Sequence, residues 1–210
     1  MANHSYHWRK LHSLLGVIPL GGFLFVHATA NFQSFERGPE GFARAVQVIN
    51  SLPFVAALEI IGIYLPILFH GIYGLYMAYQ SNLNAGQYAY GRNRAFVLQR
   101  ITGVLTFIFV FWHFFQIRLQ VYLGNVTHEE LGARLHEIVS NPVFFVLYIV
   151  GALCAVFHFS NGLWAFLISW GITISPRAQR VSSYLCMGVF VLLSALFIGS
   201  LAAFRGDEFL

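Results

Sequence analysis

The stretch VFFVLYIVGALCAVFHFSNGLWAFLISW, residues 143–170, decides the fold of this chain. It contains no charged residue, and it is longer than the about 20 apolar residues that a helix needs to cross a bilayer. A polar imidazole, His158, lies near its middle. The stretch therefore predicts a transmembrane helix with a buried polar group that needs a partner.

The rest of the chain repeats this pattern. Of its 210 residues, 58% are hydrophobic and 10% are charged, and the mean hydropathy is +0.66, which is more apolar than a soluble domain. Five windows are long enough to span a membrane: residues 11–31, 54–80, 97–122, 143–170 and 181–204. We predict an all-α integral membrane protein with five transmembrane helices. No repeat or low-complexity linker divides it, so residues 1–210 are expected to form one domain.

The charged residues predict the orientation of this bundle. With a cytoplasmic N-terminus, the inner segments contain seven basic residues and no acidic one: Arg9, Lys10, Arg92, Arg94, Arg100, Arg177 and Arg180. The outer segments contain five basic and seven acidic residues. This bias follows the positive-inside rule and places the C-terminus outside. The pI of 9.3 thus reflects residues beside membrane spans that meet anionic lipid or a docked protein, and does not indicate nucleic-acid binding.

Two outer connections have helical patterns. Residues 39–50 present Phe42, Val46 and Ile49 on one side, which predicts a short amphipathic helix on the outer surface. Residues 127–139 predict a second helix, in which Thr127 and Glu130 have the spacing of a capping box.

Four of the five spans contain one histidine each: His27, His70, His113 and His158. At ~1.5 Å per helical residue, His27 and His113 lie ~6 and ~14 Å below the outer ends of their helices. By the same rise, His70 and His158 lie ~24 and ~22 Å below the outer ends. The depths therefore predict an outer pair, His27 with His113, and an inner pair, His70 with His158.

Paired imidazoles on four helices favour two bis-histidine haem sites, because a neutral imidazole is a strong iron ligand. The 22 phenylalanines could line apolar haem slots. Neither Cys154 nor Cys186 belongs to a CxxCH motif, so both haems would be non-covalent haem b. Zinc or copper is less favoured because thiols or carboxylates that would complete such sites are missing. The competing interpretation is that the histidines bond neighbouring helices or line a proton path.

Other residues have weaker signals. Solvated surface is the expected role of four histidines: His4, His7, His128 and His136. His12 and Ser13 lie in the basic segment 9–13 at the inner interface, where they could contact a haem propionate or a quinone carbonyl, although a topology anchor is equally consistent. Glycines such as Gly16, Gly22 and Gly103 allow close approach of helices or porphyrin.

Four segments carry a family resemblance: residues 9–19 (RKLHSLLGVIP), 84–88 (NAGQY), 97–103 (VLQRITG) and 157–164 (FHFSNGLW). Together they resemble the cytochrome b membrane-anchor subunit of Gram-positive type succinate:menaquinone oxidoreductases, in the di-haem, single-polypeptide form. The resemblance covers nearly the whole chain and is weakest over residues 124–141 and at the C-terminus. It implies that the four span histidines ligate two b haems, the first helix pairing with the third and the second with the fourth.

The resemblance also implies partners and a location. A flavoprotein subunit would oxidise succinate and an iron–sulfur subunit would relay the electrons, while this chain would anchor both at the cytoplasmic face of a bacterial cell membrane. Electrons would then pass from the inner to the outer haem and on to menaquinone near the outer side. The chain itself would not oxidise succinate, but it would contribute to the quinone site.

Three alternatives share these features. A quinol:fumarate reductase anchor has the same architecture and runs the reaction in reverse. A stand-alone transmembrane electron carrier of the cytochrome b561 type would work without soluble subunits. A haem-free transporter would use the histidines as a proton relay.

Glu59 is the one acidic residue inside a predicted span, about five residues below the outer end of the second helix. A carboxyl group at that depth could carry protons to an outer quinone site. No motif of the resemblance assigns that role to Glu59, and an interfacial glutamate that reaches water is the competing interpretation.

Overall fold

The computed structural model describes residues 2–81, 86–88 and 90–210, with side chains from residue 5 onward within these ranges. Asn84 and Ala85 of the segment 84–88, and the side chain of His4, lie outside the described residues. Within the described part the secondary structure is helical. In chain order it consists of α1 (Ala2–Val17), α2 (Pro19–Asn50), α3 (Val55–Glu59), a π-helical turn (Ile60–Tyr64), α4 (Leu65–Tyr79), α5 (Gly91–Gln116), α6 (Arg118–Tyr122), α7 (Leu131–Ser140), α8 (Pro142–Ser169), α9 (Pro176–Ala203) and a 3-10 turn (Asp207–Phe209).

The described residues form five helical stretches that are long and apolar enough to cross a membrane. They are Ser5–Asn50, Val55–Tyr79, Gly91–Tyr122, Pro142–Ser169 and Pro176–Ala203. Each overlaps one predicted window over most of that window's length. The prediction of an all-α protein with five spans is therefore confirmed.

Helix α2 is bent sharply where it leaves the predicted membrane region. Gly38 has φ 62° and ψ −155°, a conformation that glycine adopts without steric cost and other residues avoid. Pro39 follows and begins the new direction, since its fixed φ suits the first turn of a helix. The helix predicted over residues 39–50 is thus present as a separate arm of α2, and its Phe42 is buried.

The second predicted outer helix begins later than expected. Helix α7 starts at Leu131, four residues after Thr127, so Thr127 is not the N-terminal cap. The Glu130 carboxylate nevertheless accepts hydrogen bonds from the Thr127 backbone N–H at 2.8 Å and from its hydroxyl at 2.9 Å. These bonds close a turn before the helix instead of opening the helix itself.

An apolar cap joins several helices at one end of the bundle, the end that the charge pattern predicts to be the outer one. Phe42, Leu135, Val139, Phe204 and Phe209 are buried together, which brings the α2 arm, α7 and the C-terminal turn into one cluster. Burial of this apolar surface stabilises the outer connections against the bundle.

His136 belongs to this cap, and the expectation that it is solvated is wrong. Its side chain is only 8% exposed. Its Nδ1–H donates to the Phe204 carbonyl at 2.9 Å, and its Nε2 lies 3.2 Å from the Ser140 hydroxyl. The imidazole is buried because α7 folds back onto the end of α9, a contact between positions that are distant in sequence.

The spans pack in a definite order. Helix α5 lies against α8, α8 against α9, and α9 against α2, while α4 lies between α1 and α5. Ala28, Val156 and Leu193 meet in a buried cluster that joins α2, α8 and α9. Helix α9, which has no histidine, therefore supports two of the helices that carry one.

Candidate functional site: two histidine pairs

The structure brings the four span histidines together in two pairs. The ring centroids of His27 on α2 and His113 on α5 are 6.0 Å apart, with an angle of 71° between the ring planes. Those of His70 on α4 and His158 on α8 are also 6.0 Å apart, at 86°. These are the outer pair and the inner pair that the depth argument predicts, and they join the first span with the third and the second with the fourth.

Both imidazoles of the inner pair are oriented by main-chain carbonyl groups. His70 Nδ1 lies 2.9 Å from the His12 carbonyl oxygen, and His158 Nδ1 lies 3.0 Å from that of Gln99. A carbonyl oxygen can only accept, so each Nδ1 carries the proton and each Nε2 keeps a free lone pair. This is the tautomer that a metal-ligating histidine uses.

Gln99 also fixes α8 through its side chain. Its Nε2 donates to the His158 carbonyl at 2.9 Å, and its Oε1 accepts from Asn161 Nδ2 at 2.7 Å. The His158 ring and backbone are therefore both tied to the same residue of α5.

The outer pair has side-chain partners instead. His113 Nδ1 lies 3.3 Å from the Tyr148 hydroxyl, which donates its own proton to Gln116 Oε1 at 3.0 Å. The hydroxyl must then accept from His113 Nδ1–H, which again leaves Nε2 free. Asn31 Nδ2 donates to the His27 carbonyl at 2.8 Å and lies 3.4 Å from both nitrogens of the His27 ring.

Two glycines provide the space for the inner imidazoles. A Cβ added at Gly103 would come within 2.7 Å of His158 Cε1, and one added at Gly16 would collide with the His70 ring. Real Cβ atoms do not approach so closely, so each ring lies directly against the backbone of a neighbouring helix. Gly22, by contrast, faces open space. The close approach expected of the glycines is thus present at Gly16 and Gly103 and not at Gly22.

His12 is part of the inner site. Its ring stacks on that of His70, with centroids 3.9 Å apart and an angle of 11° between the ring planes. Its carbonyl oxygen accepts the hydrogen bond from His70 Nδ1–H. Ser13 follows on α1 and is half-buried. Sequence reasoning places both residues at the inner interface, and the structure adds the direct contact between His12 and His70.

The donor set fits haem and fits a bare metal ion poorly. Within the described residues, no group of three or more His, Cys, Asp or Glu side chains is arranged to hold a metal ion. Each pair offers two imidazoles, which suffice only for a group that brings its own equatorial ligands. The aromatic rings of Phe23 and Phe109 stack beside His27 and His113, respectively, and supply apolar walls.

Glu59 lies in a polar cluster near the outer end of the second span. Its Oε1 is 2.6 Å from Arg118 Nη2, and its Oε2 accepts from the Tyr122 hydroxyl at 2.7 Å. The Tyr64 hydroxyl is 3.0 Å from that of Tyr122. The π-helical turn Ile60–Tyr64 begins directly after Glu59, and such turns frequently mark functional positions. In the sequence, Glu59 stands alone as the one acidic residue inside a span. In the structure, its carboxylate is paired with the Arg118 guanidinium.

His128 lies beside this cluster and is half-buried, so the expectation of a solvated side chain is wrong for it as well. Its Nδ1 is buried without a hydrogen-bond partner among the described residues. Burial, assisted by the charge of Arg118, lowers the pKa of His128. This shift favours the neutral form of the imidazole next to the polar cluster.

Sequence reasoning missed Gln99, Tyr148 and Arg118. Arg118 is a basic residue at the same outer depth as Glu59, which is a usable signal for a charge pair. Gln99 and Tyr148 are polar residues on helices that carry the predicted ligands. A search for hydrogen-bond partners of the Nδ1 atom of each histidine would have pointed to them.

Comparison with known proteins gives two matches. Residues 91–197, which include His113 and His158, match the family described as succinate dehydrogenase/fumarate reductase transmembrane subunit. The chain is also 47% identical over 202 residues to the succinate dehydrogenase cytochrome b558 subunit of Bacillus subtilis (strain 168), a match that covers 96% of this chain and 98% of the relative.

Proposed function

Because this chain belongs to the succinate dehydrogenase/fumarate reductase transmembrane-subunit family, we propose that it is the membrane anchor and electron-transfer subunit of a succinate:menaquinone oxidoreductase. It is a multi-pass protein of the cytoplasmic membrane. Its soluble partners would be a flavoprotein subunit and an iron–sulfur subunit.

The four span histidines are proposed to hold two non-covalent b haems. His27 and His113 would ligate the outer haem, and His70 and His158 the inner one. A bound haem b supplies a centre that accepts and gives up one electron at a time. The observation that carries this proposal is the arrangement of the four histidines in two facing pairs, each member of the inner pair having Nδ1–H bonded and Nε2 free.

We place the N-terminus in the cytoplasm and the soluble subunits at the inner end. The basic residues without acidic neighbours support this orientation. The inner pair would then be nearest the iron–sulfur subunit, and the outer pair nearest menaquinone. His12 and Ser13 are proposed to contact a propionate or a quinone carbonyl at the inner end, because His12 stacks directly on a proposed ligand.

Glu59 remains our candidate for proton delivery to menaquinone at the outer side. Its contacts modify how it would act. With Arg118 at 2.6 Å and the Tyr122 hydroxyl at 2.7 Å, the carboxylate would hold a proton only after it separates from the guanidinium. A proton would reach it most directly through the Tyr122–Tyr64 hydroxyl pair. If Glu59→Gln leaves the rate of menaquinone reduction and its pH dependence unchanged, Glu59 has no proton role.

The test of the proposed function is the composition and activity of the complex purified through a tag on this chain. We expect flavin, iron–sulfur clusters and two b haems per chain, with faster succinate oxidation by a menaquinone analogue than fumarate reduction by its quinol. A chain that carries haem without flavin would be a stand-alone carrier. A reduced-minus-oxidised spectrum without b-type bands would contradict the proposal and favour a proton relay.

A further inference from the structure

A shallow groove between α4 and α5 lies beside the turns of α5 that contact His158 through Gln99 and Gly103, and none of the four span histidines lines it. Its volume is about 310 Å³, and it is lined by Ala78 of α4 and by Arg100, Ile101, Val104 and Leu105 of α5. Except for the guanidinium, the lining is apolar. Ile101 and Leu105 are 48% and 43% exposed, so the groove lies on the lipid-facing surface.

Arg100 has unused hydrogen-bonding capacity in this groove. Its Nη1 donates to the Phe96 carbonyl at 3.1 Å, and its guanidinium lies over the Phe96 ring at 3.3 Å. Its Nε is buried and bonds to no acceptor among the described residues. A guanidinium has five N–H donors, and the Phe96 carbonyl is the one acceptor that the described residues offer it, so further donors of Arg100 can serve an acceptor from outside the chain.

The charge of Arg100 is also unbalanced. In the predicted orientation, none of the eight acidic residues lies on the inner side, and the ion pairs of the described residues do not include Arg100. A cation without a carboxylate partner attracts an anion, and a planar guanidinium suits phosphate oxygens.

Depth agrees with this chemistry. Arg100 is nine residues, or ~14 Å, along α5 from Gly91, and Leu105 lies ~8 Å further toward the membrane centre at the same rise. A headgroup at the guanidinium would therefore place an acyl chain along Ile101, Val104 and Leu105. Ala78 keeps the opposite wall low enough to admit that chain.

We propose that this groove binds one anionic phospholipid of the inner leaflet, with its phosphate on Arg100 and an acyl chain against Ala78, Ile101, Val104 and Leu105. Basic pockets between transmembrane helices are suited to such headgroups. The site is separate from the proposed haem ligands, so the proposal does not depend on them.

The experiment is native mass spectrometry of the detergent-purified complex, with wild type expected to retain one phosphatidylglycerol-type or cardiolipin-type lipid. Arg100→Gln should lower this occupancy roughly fivefold, as expected for one arginine near an anionic surface. Ala78→Phe should lower it by filling the groove. The matched controls are Arg94→Gln, an exposed inner arginine of the same helix, and Ala165→Phe, an exposed alanine of α8; both should keep the lipid.

Four results would overturn the proposal. They are a wild-type complex that retains no anionic lipid, equal loss of lipid in Arg94→Gln, loss of haem in Arg100→Gln, and loss of the soluble subunits in Arg100→Gln. The third would assign the guanidinium to a propionate, and the fourth to a carboxylate of a partner subunit. If Arg100→Gln does not fold, Arg100→Lys supplies the test, since it keeps the charge, loses the planar fork and should retain the lipid with reduced occupancy in the same measurement.

Discussion

The two histidine pairs have the same spacing but are held by different kinds of partner. In the inner pair, main-chain carbonyls of His12 and Gln99 accept both Nδ1 protons. In the outer pair, the partners are the Tyr148 hydroxyl and the Asn31 amide. A side-chain substitution can remove a hydroxyl or an amide, but it leaves a carbonyl in place. The orientation of the inner pair therefore depends on how closely helices approach, and that of the outer pair on individual side chains.

The largest expected effect is the collapse of the inner pair by an added methyl group. Gly16→Ala and Gly103→Ala each force an imidazole away from its neighbouring helix, and overpacking of this kind costs about 1–3 kcal/mol. We expect each variant to lose one b haem, measured by the pyridine haemochrome method. Gly22→Ala is the control because its Cβ meets open space. Equal haem loss in all three variants would mean that the contacts are not specific.

A second effect concerns the polar cluster at the outer end. Arg118→Met would leave Glu59 without its cation, and because both side chains are partly exposed, at 21% and 16%, we expect a cost of about 1–2 kcal/mol. Thermal unfolding of the purified complex measures it. The double variant Glu59→Gln/Arg118→Met should recover most of the loss, since no unpaired charge remains. A double variant less stable than Arg118→Met would show that the pair is not the source.

A smaller effect distinguishes side-chain from main-chain partners directly. Tyr148→Phe removes the acceptor of His113 Nδ1–H, which we expect to change the outer site by about 1 kcal/mol, or roughly 40 mV for a one-electron couple. Gln99→Leu keeps the carbonyl that accepts from His158, so the inner midpoint potential should move less. Redox titration of the b-type absorbance separates the two, and a larger shift in Gln99→Leu would reverse the comparison.

The smallest effect is expected in the outer connection before α7. Two hydrogen bonds from Thr127 lower the pKa of the Glu130 carboxyl, and the bond from the backbone N–H has a larger effect than the bond from the hydroxyl. The stabilisation is therefore present above the unfolded-state pKa and is lost as the pH falls through the lower folded-state pKa. Hydrogen exchange of the amides of residues 127–131 should show protection at neutral pH in wild type and not in Glu130→Gln. Equal protection in both would exclude a role for this turn.

Much of the architecture could be predicted from local sequence. The spans follow from apolar length, and the pairing of His27 with His113 and of His70 with His158 follows from counting residues along helices. The arm after Gly38 follows from its helical spacing. These predictions need only the helical periodicity of the sequence and the known thickness of a bilayer.

Other features depend on contacts between distant positions. His136 is buried because Phe204, 68 residues later, offers its carbonyl, and no local pattern predicts that. Helix α7 starts at Leu131, after the turn that the hydrogen bonds between Thr127 and Glu130 close, and the spacing of these two residues does not distinguish such a turn from the start of a helix. The ion pair of Glu59 with Arg118 likewise joins two helices, so the sequence presents each residue as a single charge.

The central claim is that the four span histidines form two haem sites in fixed pairs. The most direct measurement is the haem content and low-temperature α-band spectrum of His27→Ala, His113→Ala, His70→Ala and His158→Ala, with exposed His7→Ala as the control. We predict loss of one haem from each of the four, with the same band missing in His27→Ala and His113→Ala and the other band missing in His70→Ala and His158→Ala. Full haem content in any of the four, or bands lost in a different pairing, would contradict the account.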